Sequence, residues 1–394
     1  MFQGEAKKPA KSTARSPYNR RMDRTARAAW VKDLALAAGF SRVGIASVAA
    51  SATAAANYRW LGEGGHAGME YLARHAALRQ DPRNLLPAAR SVLCVALDYA
   101  PKAGTATGDS DFWQGVARYA RGEDYHDAMR EKLGKVKAAI EAELPGVEAR
   151  ICVDTAPLLE REWAARAGLG SFGKNTNLLH PDAGSFFLLA ELLLSLDLTP
   201  DLPVADLCGS CTRCLDACPT GALSPYRLES DRCISYWTIE HRGEIPPALR
   251  AAMGQWVFGC DICQEVCPWN GDPVGELAPE FETPAARQGL SLAGVLASDE
   301  AGLRSLLRGT PLLRPKVDGL KRNVAVAMGN RRDPGYIGAL AEALESGSPM
   351  VRRHGAWALG EIGTAEAKQI LQQALEAEAD PDQRRELESA IGPL

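Results

Sequence analysis

Apolar positions recur with two different periods along the first half of the chain. Over residues 25–40 alanine and leucine fall at helical spacing, and Gly39 stops the run. Residues 41–46 (SRVGIA) then read as a strand, and residues 81–89, punctuated by Pro82 and Pro87, as a turn or short helix. Residues 91–99 (SVLCVALDY) are rich in β-formers and are followed by Pro101, which predicts a core strand. An amphipathic helix is predicted over 127–144, ending before Pro145, then a short strand over 149–153 and a helix over 158–167. Residues 185–194 are apolar enough for a strand or a buried helix. Strands and helices alternate, so residues 26–200 predict an α/β or α+β domain.

After Pro273 the pattern changes to alanine, leucine and charged residues at helical spacing, with no strand signal. Residues 321–330 align with 352–361 at an offset of 31, and each block is followed by a second helical stretch, 335–344 and 364–377. Helix pairs of this kind resemble HEAT repeats. Two are fewer than the roughly three that stack independently, so the module is expected to pack onto the rest of the chain. The first 25 residues carry Lys7, Lys8, Lys11, Arg15, Arg20 and Arg21 with no apolar stretch behind them, so they read as a disordered leader rather than a secretory signal. The longest apolar run, 185–198, is interrupted by Glu191 and falls short of the roughly 20 residues a membrane crossing needs. A content of 46% hydrophobic and 24% charged residues fits a soluble protein with an ample core. The net charge of −4 argues against a globally basic nucleic-acid binder and leaves room for a local basic surface.

Eight of the ten cysteines fall between residues 208 and 267. Without a signal peptide they read as reduced ligands in a cytoplasmic protein. Cys208-x2-Cys211-x2-Cys214-x3-Cys218-Pro219 has the spacing of a bacterial ferredoxin run, in which three cysteines wrap one cubane and the fourth reaches the other. Cys260-x2-Cys263-x3-Cys267-Pro268 lacks one cysteine of that run, and Cys233 fits as the missing ligand. The crossover assigns Cys208, Cys211, Cys214 and Cys267 to one 4Fe–4S cluster, and Cys218, Cys233, Cys260 and Cys263 to another. Two zinc sites would prefer paired C-x2-C knuckles separated by a longer loop, which this spacing fits poorly. Cys94 and Cys152 lie in predicted strands and read as buried structural thiols. Such clusters move single electrons. The chemistry is therefore expected in residues 26–200, the alternative being an electron carrier that serves a separate enzyme. Residues 168–174 (GLGSFGK) match a dinucleotide-binding glycine pattern, but a helix precedes them where a strand is required. They read instead as a loop whose backbone approaches a bulky cofactor, with Lys174, Asn175 and Asn177 in polar contact.

Residues 118–126 (RYARGEDYH), 153–161 (VDTAPLLER), 167–175 (AGLGSFGKN) and 183–187 (AGSFF), followed by both cysteine motifs, resemble the epoxyqueuosine reductases. The resemblance covers roughly residues 26–390 and leaves the leader outside. It implies a cobalamin-dependent reductase, related in fold and cofactor to reductive dehalogenases, that removes the epoxide oxygen of epoxyqueuosine at the wobble position of tRNA. The implied layout is a cobalamin-binding catalytic domain over 26–200, a ferredoxin-like domain with two 4Fe–4S clusters over 201–275, and helical HEAT-like repeats over 276–394. Asp154 matches the family's general acid, and desolvation is expected to keep it protonated. Tyr119, Asp124, Tyr125 and His126 are candidates for the cofactor pocket, although Asp124 also reads as a helix N-terminus. Gly173 belongs to the glycine loop, and Ser235 is a candidate cobalamin neighbour. No histidine has an obvious axial-ligand context, which suits a base-off cobalamin. Lys321, Arg322, Arg352 and Arg353 recur at equivalent repeat positions and are expected to line an edge that meets tRNA phosphates. A monomer with a separate low-potential electron donor completes the expectation.

Overall fold

The structure is a computed structural model that describes residues 22–99, 110–271 and 278–392. Most of the expected leader, residues 1–21, lies outside the described residues, as does the expected boundary at 275.

Helix α1 (Arg24–Ala37) starts at Asp23, whose carboxylate accepts a 2.8 Å bond from the Ala26 amide. Then come strands β1 (Arg42–Ser47) and β2 (Ser91–Asp98), helix α2 (Tyr125–Glu143), strand β3 (Ala149–Cys152) and helix α3 (Glu160–Arg166). A short hairpin, β4 (Ser171–Phe172) and β5 (Leu178–Leu179), precedes β6 (Phe187–Leu194). The apolar segment that the sequence left as strand or helix is a strand. It pairs with β2 on one side and β3 on the other.

The sheet has the order β1-β2-β6-β3 and every pairing is antiparallel, so the domain is α+β. Both faces are covered, which explains why β2 reads as one continuous apolar run. Leu93, Val95 and Leu97 face α1 and α2, in a core with Val31, Met129 and Leu133. Val92, Cys94 and Ala96 face α3, in a second core with Trp163 and Ala164. On that second face Glu191 of β6 stands between Cys94 and Cys152 across three strands.

The C-terminal part is helical: α4 (Lys316–Arg331), α5 (Ile337–Ser346), α6 (Pro349–Ile362), α7 (Ala365–Ala377) and α8 (Pro381–Ile391). The last of these lies beyond the two repeat pairs legible in the sequence. The repeated glycine has a physical reason at both positions. A Cβ on Gly329 would sit 2.7 Å from the Trp357 ring, and one on Gly360 2.6 Å from the Ala390 carbonyl. The two glycines let α4 close on α6 and α6 close on α8. The module is not free-standing, because Trp113 and Phe258 share one core with α4 and α6.

Candidate active site

The eight clustered cysteines form two groups. Cys208, Cys211, Cys214 and Cys267 line one small pocket beside Trp269. Burial, then the charges of Cys208, Cys267 and Cys211, push the Cys214 thiol up, which shows how close the four lie. Cys218, Cys233, Cys260 and Cys263 instead line a larger cavity. The last cysteine of each motif therefore stands with the other motif's group. The groups adjoin: burial, Cys233, Asp261 and then Cys214 push Cys263 up to about 12. No three His, Cys, Asp or Glu side chains among the described residues converge as ligands of one metal ion. Thiolates spread around a pocket suit a cubane, in which each binds a different iron.

The larger cavity has a volume of about 390 Å³. Its wall is apolar at Leu188, Leu189, Ile234 and Ile262, and polar at Asn175, Asn177 and Ser235. Tyr119 and Tyr125 close one side, their rings edge to face at 5.9 Å. A π-helical turn, Tyr236–Glu240, follows Ser235; such turns are concentrated at functional sites. None of the described residues lining the cavity is a histidine. An apolar wall that also carries amides and a hydroxyl suits a flat apolar macrocycle edged with amide side chains, as cobalamin is.

Asp154 enters this cavity from the turn after β3. Its φ of 45° lies in the left-handed region, which aspartate tolerates better than most residues. Three contacts hold the turn. The Thr155 amide donates to the Val153 carbonyl at 2.5 Å, the Asp154 amide donates to Glu160 Oε1 at 2.5 Å, and Arg130 donates to Thr155 Oγ1 at 3.0 Å. The carboxylate meets His126, whose Nε2 lies 3.0 Å from Asp154 Oδ2 and whose Nδ1 lies 2.7 Å from Asp124 Oδ1. Burial alone would lower the His126 pKa, but the bonds to Asp124 and Asp154 raise it to about 9. Desolvation was expected to keep Asp154 protonated, and the structure corrects this. Burial does push its pKa up, but the His126 bond and charge, then Arg314 and Tyr125, outweigh burial and hold it below the ordinary carboxylate value.

The other expected residues divide between the cavity and places away from it. Tyr119, Tyr125, Asn175, Asn177 and Ser235 line the cavity. Gly173 and Lys174 do not. They belong to the first cysteine pocket, where the Lys174 amide donates to Cys208 Sγ at 3.3 Å and Lys174 Nζ donates to the carbonyls of Gly209 and Cys211 at 2.6 and 2.9 Å. Asp124 is the N-cap of α2, accepting from the His126 amide at 3.0 Å, and His126 reaches the cavity only through Asp154. Arg322 cannot meet a phosphate. It is wholly buried and donates to the carbonyls of Trp237, at 2.7 Å, and of His241 and Gly243. Arg352 pairs with Glu378, and Arg353 with Glu244 at 2.6 Å and Asp380 at 3.9 Å, so both spend their charge inside the molecule; Lys321 is half-buried. Sequence reasoning passed over Glu160 and Arg161, which line the cavity beside Asp154. Both lie in the motif of residues 153–161, but a helix-start acid carries no signal of its own.

Comparison with known proteins accounts for most of the chain. A family model described as "Epoxyqueuosine reductase QueG, DUF1730" matches residues 79–155, a "4Fe-4S double cluster binding domain" matches 207–270, and HEAT repeats match 312–392. The chain is 41% identical to an epoxyqueuosine reductase of Alicycliphilus denitrificans, covering 84% of this chain and 96% of that one. It is 42% identical to one of Xanthomonas campestris, covering 87% and 98%. A solved epoxyqueuosine reductase holding an epoxyqueuosine-modified tRNA stem loop superposes with a TM-score of 0.82 at 30% identity, covering 92% of this chain and 97% of that one. Another, from Bacillus subtilis with its catalytic aspartate loop swung out of the active site, superposes with a TM-score of 0.81 at 29% identity over the same shares. No described helix is long and apolar enough to cross a membrane. The chain belongs to the epoxyqueuosine reductase family.

Proposed function

We propose that this protein reduces epoxyqueuosine in tRNA to queuosine, with a base-off cobalamin in the large cavity and a 4Fe–4S cluster on each cysteine group. The observation that carries this reading is one shared wall: Asp154 and the second cysteine group open onto the same cavity. A chain that only carried electrons would need no carboxylate and no cavity there.

Removing the epoxide oxygen as water, to leave an alkene, takes two electrons and two protons. Cobalamin, when bound, supplies a low-valent cobalt centre that accepts electrons singly and acts on the epoxide. The protein does the rest. Cys208, Cys211, Cys214 and Cys267 hold the outer cluster, and Cys218, Cys233, Cys260 and Cys263 hold the one facing the cavity. Leu188, Leu189, Ile234 and Ile262 would hold the macrocycle and exclude water, while Asn175, Asn177 and Ser235 would meet its amides. Asp154 hands a proton to the departing oxygen. Its lowered pKa is no obstacle, because His126, cationic below about pH 9, supplies that proton through Asp154 across 3.0 Å. The relative seen with its catalytic aspartate loop swung out supports placing this role on the turn that carries Asp154.

The test is anaerobic reconstitution with iron, sulfide and cobalamin, then assay on tRNA carrying epoxyqueuosine with a chemical reductant. Queuosine is expected to form only when cobalamin is present. A protein whose visible spectrum shows no bound cobalamin would overturn the reading.

A further inference from the structure

The Asp154–His126 pair holds one proton between two groups, whereas the reaction consumes two. We propose that Glu160 holds the second proton, as a second acid stored beneath the Asp154 turn. The proposal rests on the function proposed above. Glu160 is the first residue of α3, and its side chain turns back so that Oε1 accepts the Asp154 amide at 2.5 Å. The surface it keeps faces the cavity. Two carboxyl groups thus share one backbone turn at one cavity wall.

The balance closes with this inventory. Both carbon–oxygen bonds of the epoxide break, the carbons keep the two electrons delivered singly through the iron–sulfur domain, and the oxygen leaves as water. The first proton comes from His126 through Asp154. Asp154, ionised again, then takes the Glu160 proton and passes it to the same oxygen.

The surroundings agree. Burial, and next the negative charge of Asp154, raise the Glu160 pKa to about 8, so it is protonated at neutral pH. The bond from the Asp154 amide and the charges of Arg161 and His126 pull the other way and lose. Tyr125 on α2 and Arg79 on the segment Leu78–Gln80 also face it. On the sheet side lies Glu191, with neither oxygen partnered, between Cys94 and Cys152. Burial keeps Glu191 neutral, so no negative charge from the sheet acts on Glu160.

Glu160→Gln tests this, because glutamine still accepts the Asp154 amide but has no proton to give. In single turnover on the tRNA substrate, the variant is expected to lose about 10²-fold in rate, at the low end for a general acid, with KM unchanged. Its alkaline limb is expected to move from about 8, where Glu160 ionises, to about 9, where His126 does. Infrared spectra of cluster-loaded protein without cobalamin or substrate give a second readout. A protonated-carboxyl band that disappears near pH 8 in the native protein is expected to be missing in the variant. Glu160→Asp keeps a titrating proton and is expected to retain the alkaline limb. A native rate with an unmoved limb in Glu160→Gln overturns the proposal, and so does survival of the band that titrates near pH 8, as distinct from the untitrated band of neutral Glu191, which would leave Glu160 a positioning role only. An inactive Asp154→Asn beside a fully active Glu160→Gln sinks this inference alone, whereas an active Asp154→Asn sinks the function assigned to Asp154.

Discussion

Two constellations of charge in this molecule, one enclosed and one open to a cavity, have opposite outcomes. In the helical module the Arg322 guanidinium is wholly enclosed, and its N–H groups are consumed by the carbonyls of Trp237, His241 and Gly243 and by the side chain of Asn323. At the cavity the carboxyl groups of Asp154 and Glu160 meet His126 and a backbone amide, yet both still face open space. The first arrangement fixes structure: it ties α4 to the segment that follows Ser235 and the π-helical turn. The second leaves protons that can move. A buried charge whose every bond is satisfied by carbonyls builds the fold. A charge left facing a cavity beside another titrating group is available for chemistry.

That contrast can be broken at four points. The largest effect is expected at the electron supply to the cavity. Cys263→Ser should remove the inner cluster, leave about half the iron, and abolish turnover even though Asp154 is untouched; iron analysis beside the tRNA assay checks this, and activity in a half-loaded protein would contradict it. His126→Gln comes next. With the cation gone, Asp154 loses the group that supplies its proton, so turnover should fall about 10²-fold, and in the Glu160→Gln background the alkaline limb near 9 should vanish from the pH–rate profile. In the other constellation Arg322→Ala leaves enclosed carbonyls unpaired and should cost about 3 kcal/mol in denaturant unfolding. The salt dependence of tRNA binding should not change there, because the side chain touches no solvent. The smallest effect belongs to Arg352→Ala with Arg353→Ala. Both arginines already pair with carboxylates, so the slope of log affinity against log salt should shift by less than about one unit, the value of a single phosphate contact.

The difference between these two regions also marks what the sequence could reveal. Elements with a strong apolar pattern were legible: β2 and α2 lie within a few residues of where the pattern puts them, whereas β6 was located but its apolar run did not tell strand from buried helix. The cysteine spacings were legible because a ligand run wraps its cluster locally, and the exchange of Cys218 and Cys267 between groups follows from the same spacing. Asp154, which lines the cavity, was singled out through its motif. Its charge state was not, because that depends on His126, which lies 28 residues away and meets it only in the folded chain. Arg322 was misplaced for a related reason. The repeat aligns it with Arg353, but α4 is a central helix, buried on nearly every side, so no periodicity separates an inner face from an outer one. Gly173 and Lys174 follow the glycine loop into the neighbouring cysteine pocket, a distinction of a few ångströms that composition does not carry.

The central claim is that the chemistry happens where Asp154 and the inner cysteine group share a wall, with Asp154 passing the proton. The most direct measurement is single turnover of epoxyqueuosine-bearing tRNA by Asp154→Asn protein whose iron, sulfide and cobalamin contents match the native enzyme. The account predicts full cofactor loading, unchanged tRNA affinity and a rate lower by about 10²–10⁴-fold. A fully loaded Asp154→Asn protein that forms queuosine at the native rate would contradict it.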